Sequence, residues 1–98
     1  MQRIENLEFD EFEWDENKRL SNFQKHDIDF PDAALSLLQA HLESPSNRQG
    51  ERRTKAICRT SERIVIVIFT MRGKICRIIS ARRADRNDQR KYRQIFGG

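Results

Sequence analysis

Apolar positions follow two regimes along this chain: helical spacing in the first half, and β-branched runs beyond residue 53. Phe9 and the stretch Phe12 to Trp14 alternate enough for one short strand. Asp15 then stands where a side chain can accept from the free N–H groups of a first helical turn, which predicts a helix from Glu16 to about His26. Leu20 and Phe23 share one side of it, Trp14 packs at its entry, and Lys18, Arg19 and Lys25 stay free. Ile28-Asp29-Phe30-Pro31 breaks this helix, because proline disfavours helical geometry in the residue before it and fits the first turn of the next helix. The second helix begins at Asp29 or Phe30 and ends near Ala40, with Ala33, Ala34, Leu37 and Leu38 as its core stripe. His41 then reads as a solvated or capping residue at that helix end.

Glu43 to Glu51, with Ser-Pro-Ser-Asn-Arg-Gln-Gly inside it, is the strongest loop signal and marks a hinge between two halves. Three apolar segments follow, Arg53 to Thr60, Arg63 to Met71 and Lys74 to Arg82. The links Ser61-Glu62 and Arg72-Gly73 are short enough to require antiparallel hairpins. Ile64 to Phe69 is apolar on both faces, which predicts a middle strand with helices on one side and other cover on the opposite side. The period changes again between Lys74 and Arg93: a strand over Ile75 to Ala81 gives way to a charged helix from Asp85. The predicted order is strand, two helices, three-stranded meander and C-terminal helix, an α+β domain with a small antiparallel sheet. Residues 1–8, with only Ile4 and Leu7 as larger aliphatic side chains, read as a polar lead-in that frays.

With 98 residues the chain forms one domain, 1–98, and the clustering of its apolar 37% favours a fold over disorder despite 35% charged residues. No stretch approaches a membrane span, and the acidic, polar start lacks the form of a secretory signal, so the default location is the cytoplasm. Cys58 and Cys76 read as reduced cysteines within the sheet. Charge changes the picture once it is divided. Residues 1–50 carry five Lys and Arg against eleven Asp and Glu, whereas residues 51–98 carry fourteen against four. A strongly basic second half predicts a face that attracts polyanions.

Motifs with firm spacing requirements are missing: there is no glycine-rich phosphate loop, Cys-x-x-Cys pair, helical His-x-x-x-His or nucleophile elbow. The chemistry lies instead in arginines interleaved with an aromatic residue around Ser80-Ala81-Arg82-Arg83, where an apolar strand runs out. Such a place suits a phosphate backbone and a stacked base. His26 follows Lys25 at a helix C-terminus, where the dipole favours the charged imidazole. Acid–base groups and cations of this kind can serve phosphoryl chemistry with no metal and no cofactor.

Phe12-Glu13-Trp14-Asp15 with Lys18, Asn22, Lys25-His26 and Phe30, then Glu51-Arg52, then Arg77-Ile-Ile-Ser-Ala-Arg-Arg-Ala84 with Arg90 and Tyr92, together resemble the BrnT family of bacterial toxins. The resemblance spans about residues 12 to 93. It implies a RelE-like ribonuclease toxin that acts on RNA and is neutralised by a BrnA-type antitoxin. That antitoxin family carries a ribbon-helix-helix part, through which the complex reaches operator DNA. Three positions depart from the family pattern: Asp27 and Cys58 stand where glycines are usual, and Gln89 replaces an acidic residue. On the combined reading, Arg77 and Arg82 neutralise the developing phosphate charge, His26 or Glu51 is base or acid, and Lys25 holds a neighbouring phosphate. Tyr92 stacks on a base or donates a proton, and Arg52, Arg83, Arg86 and Arg90 contact RNA. The structural alternatives are an Arg77 ion pair with a carboxylate between Phe12 and Glu16, an Arg52–Glu51 pair, and a solvated helix face for the last arginines. A non-catalytic nucleic-acid-binding or interaction module is the functional alternative.

Overall fold

Ile64 to Phe69 offers solvent no polar face, so a strand that contains it must be covered on both sides. The computed structural model, which describes residues 1–5 and 9–97, shows how this is done. Among these residues the elements run β1 (Gln2–Ile4), β2 (Glu11–Glu13), α1 (Glu16–His26), α2 (Phe30–Leu37), β3 (His41–Pro45), β4 (Thr54–Arg59), β5 (Ile64–Arg72), β6 (Ile75–Arg83) and α3 (Arg86–Phe96). The strands form one open sheet in the order β1-β3-β4-β5-β6-β2. All pairs are antiparallel except β2 with β6, which is parallel. The α+β class read from the sequence is the one found.

Alternation along β5 divides the core. Val65, Val67 and Phe69 turn to one side with Ala56, Cys58, Cys76, Ile78 and Ala81, and are covered by Phe30, Ala33, Ala34 and Leu37 of α2. Ile64 and Ile66 turn to the other side with Leu42 and Ile57, and are covered by Tyr92 and Phe96 of α3. Burial pushes the Cys58 and Cys76 thiols up to about 12, in keeping with inert core positions. Lys55 Nζ lies 2.9 Å from Asp88 Oδ2 and pins the start of α3 to β4.

Several expectations need correction. Gln2–Ile4 does not fray but pairs with β3, while Leu7 lies outside the described residues. Glu43 to Pro45 is strand rather than loop, because it pairs with β4 from Thr54 to Ala56. His41 is neither solvated nor a cap: it is fully buried at the start of β3, with its ring nitrogens 2.7 Å from the Gln39 carbonyl and from Glu43 Oε2. Helix α2 stops at Leu37, where i→i+3 bonds from Leu38 and Gln39 tighten the last turn, and Leu38 is exposed. Leu20 and Phe23 are exposed as well, since α1 turns Asn22 inward rather than an apolar stripe. Arg19 is not free; it pairs with Glu16 and, at 3.0 Å, with Asp29, tying the first turn of α1 to the N-cap of α2.

Candidate active site

Helix α1 lies along the outer edge of β6, which β2 covers only from Ile75 to Arg77. Beyond that point the edge would present unpaired backbone groups. Asn22 meets them: its Nδ2 donates to the Ala81 carbonyl at 2.9 Å and its Oδ1 accepts from the Ala81 N–H at 3.1 Å. The same Nδ2 donates to the Ile28 carbonyl at 3.0 Å. Between helix and edge runs an open groove of about 360 Å³, lined by Lys18, Ser21, Lys25, His26, Ile79 and Ser80 among others. Asp15 caps the near end of α1, accepting from the N–H groups of Asn17 and Lys18. Asp27 ends the helix in left-handed geometry, φ 58°, where glycine is the usual residue.

Strand β6 carries an irregularity that decides the geometry. Ile68 pairs with Ser80 but Phe69 with Ile78, so Ile79 is an extra residue with no partner, a β-bulge. In a regular strand Arg77 and Arg82, five residues apart, would point to opposite faces. With the bulge they pair with Thr70 and Ile66, four residues apart on β5, and therefore share the face on which α3 packs. Helix α3 covers only the end of that face that holds Ile57, Ile64 and Ile66. Beyond it the residues lie in rows across the sheet: Thr70, Arg77 and Glu13 form the open one, while in the row between, Lys55, Ile68 and Ser80, Lys55 is tied to Asp88 of α3 and Ile68 packs against the cluster under that helix.

Each candidate can now be placed. Arg77 Nη1 is 3.4 Å from Glu13 Oε1, so the carboxylate pair weighed for it exists, although the contact is longer than a hydrogen bond. Arg82 is half-buried and has no ion pair among the described residues; its Nη1 approaches only the Arg83 carbonyl, at 3.5 Å. The nearest carboxyl influence is at the α3 N-cap, where the Asp88 N–H, and then Arg82 and Lys55, hold the Asp85 carboxyl below its ordinary range. Lys25 and His26 line the groove beside Ile79 and Ser80, between Arg77 and Arg82 along the strand. Glu51 and Arg52 are exposed before β4, and the Arg52 carbonyl accepts from Thr70 Oγ1 at 2.7 Å. Glu51 pairs with Arg53 at 2.8 Å rather than with Arg52.

Tyr92 departs furthest from expectation. It is 7% exposed, and its ring packs 4.7 Å from that of Phe96, so it anchors α3 to the sheet instead of offering a face to a base. Burial pushes its hydroxyl above the ordinary tyrosine range. Arg83 turns to a second hollow with Arg63 and Arg93, and Arg86 and Arg90 lie exposed on α3. No group of His, Cys, Asp and Glu close enough to hold a metal ion occurs among the described residues, and none of their helices is long and apolar enough to cross a membrane.

The fold therefore sets guanidinium and ammonium groups along an open sheet face beside a groove holding a histidine and a lysine. Compared with known families, residues 14–88 match the model for the ribonuclease toxin BrnT of type II toxin–antitoxin systems. The chain belongs to the BrnT family. It is thus a ribonuclease toxin by family, a class that works against an antitoxin partner and an RNA target. None of the curated proteins compared with the chain matches it. The BrnT match takes in Lys25, His26, Glu51, Arg52, Arg77, Arg82, Arg83 and Arg86, and stops before Arg90 and Tyr92. Arg53, Lys55 and Glu13 of this BrnT chain also lie on the sheet face that carries Arg77 and Arg82, and the sequence reading did not count them among the candidates. Arg53 and Lys55 were legible, since two residues of a strand at i and i+2 share a face. Glu13 was legible only as one of the carboxylates between Phe12 and Glu16 weighed as a partner for Arg77, because which of them meets it depends on β2 pairing with a strand more than sixty residues away.

Proposed function

We propose that the chain is a metal-independent endoribonuclease that stops translation and growth by cutting RNA across the open sheet face. The observation that carries this reading is the bulge at Ile79, which sets Arg77 and Arg82 on one face with the Lys25–His26 groove beside them. Cleavage requires the 2′-hydroxyl to lose its proton, the pentacovalent phosphate to be stabilised, and the 5′-oxygen to gain a proton. Arg77 and Arg82 neutralise the phosphate, His26 protonates the leaving oxygen, and Lys25 holds the next phosphate. Arg52 and Arg53 extend the cationic track for the RNA backbone. A BrnA-type ribbon-helix-helix antitoxin in the same cytoplasm seats acidic side chains on this face, where fully desolvated charge pairs make a tight complex, and links the pair to operator DNA.

Arg82 provides the test. Its backbone is fixed by pairing with β5, so its guanidinium is presented with little ordering cost. Loss of one transition-state charge contact costs ~3–4 kcal/mol, or about 10²–10³ in rate, while loss of a surface arginine changes stability by less than about 0.5 kcal/mol. Expression of the parent chain should arrest growth and cut RNA, with relief by the antitoxin. Arg82→Ala should lose cleavage and toxicity at unchanged thermal unfolding, and Arg82→Lys should recover only part, lacking the bidentate fork. A folded Arg82→Ala protein that cleaves at the parent rate would remove this face from the chemistry.

A further inference from the structure

We propose that Glu13 is the general base of the cleavage, a reading that rests on the open sheet face being where RNA is cut. The parallel pairing of Glu13 with Arg77 turns its side chain onto that face. Its Oε1 lies 3.4 Å from Arg77 Nη1 and 3.6 Å from Arg72 Nη1, and it is buried without a hydrogen bond. A carboxylate serving only as a structural partner of arginine closes to charge-assisted bonds of about 2.7–2.9 Å, commonly in bidentate form. Here two guanidinium groups hold Oε1 by charge alone. The side chain as a whole is 37% exposed, so Oε2 is the oxygen left on the solvent side.

An anion on a face that receives phosphates weakens binding by like-charge repulsion, and in this position it has a chemical use. Glu13 Oε2 takes the proton of the 2′-hydroxyl while the O2′ electron pair forms a bond to phosphorus. The bond between phosphorus and O5′ then breaks, and O5′ leaves with the proton given by His26. The products are a 2′,3′-cyclic phosphate and a 5′-hydroxyl end; Glu13 returns its proton to solvent and His26 takes one up. Arg77 contacts the base and the phosphate together, so it joins the rise of negative charge on phosphorus to the carboxylate that starts it.

The experiment uses the purified full chain with a cleavable RNA oligonucleotide and, for binding, the same oligonucleotide with a 2′-deoxy substitution at the cut site. Glu13→Gln should cleave about 10²–10⁴ more slowly while binding the 2′-deoxy oligonucleotide at least as tightly as the parent, because a negative charge has gone. Glu13→Asp should retain part of the activity, and formate should restore part of the cleavage by Glu13→Ala. A Glu13→Gln protein within about threefold of the parent rate overturns the assignment. So does a loss of binding that matches the loss of cleavage, or an alanine variant that formate does not rescue, since either makes Glu13 only a holder of Arg77. If Arg82→Ala is inactive while Glu13→Gln is unimpaired, the base assignment alone fails. If Arg82→Ala is fully active, the reading of the face fails first.

Discussion

Asp27 shows what one residue costs when the backbone asks for another. At φ 58° it sits in left-handed geometry that an L side chain occupies at an expense of about 1–2 kcal/mol, less for aspartate than for most. Its carboxylate gives little back: Oδ2 is 3.4 Å from Arg63 Nη2 on a side chain that is 76% exposed, and such pairs add at most about 1 kcal/mol. Glycine would relieve the strain but raise the entropy of the unfolded chain by about 0.4–1 kcal/mol. The Asp27→Gly protein is therefore expected to gain about 0.5–1 kcal/mol, seen as a rise of a few degrees in Tm. A lower Tm would mean that the Arg63 contact outweighs the backbone. This position was legible, because the resemblance placed a glycine there and aspartate tolerates the same conformation. His41 was not: its burial comes from the strand that it opens, and one leucine among polar residues gave that strand no alternation to read.

Among the elements, the meander and the C-terminal helix could be read because β-branched runs with two-residue links leave few other solutions. The two short strands could not, since β1 and β3 are specified by the pairing partner rather than by their own sequence. Helix α1 was found with correct bounds but the wrong inward face. Apolar periodicity pointed to Leu20 and Phe23, whereas the helix seals a strand edge and needs a side chain that both donates and accepts. Replacing Asn22 by leucine would strip the Ala81 N–H, the Ala81 carbonyl and the Ile28 carbonyl of their partner. Each buried group left unsatisfied costs about 1–3 kcal/mol. Asn22→Leu should therefore lose more than about 3 kcal/mol of stability by denaturant unfolding and gain a tendency to aggregate through the opened β6 edge. A leucine variant as stable as the parent would show that the edge bonds contribute nothing net.

Over the whole molecule, the charge imbalance seen along the sequence becomes a difference between surfaces. A hollow of about 490 Å³ between the helices and the β4–β5 turn is bordered by Asp27, Asp29, Asp32 and Glu62, against Arg59 and Arg63. Arg52, Arg53, Lys55, Arg72, Arg77 and Arg82 belong to β4, β5, β6 and the approach to β4. Such a distribution orients an approaching polyanion before contact. The sequence disclosed that these cations exist and roughly where the strand holding most of them ends. It could not disclose which of them look the same way, because that turns on a single unpaired isoleucine. Loss of the codon for Ile79 would remove the bulge and leave Arg77 and Arg82 four residues apart in a regular strand, opposite Thr70 and Ile66 as before and still on one face. A cell carrying that deletion should therefore still arrest growth, with the local kink of β6 gone but the two arginines facing the same way.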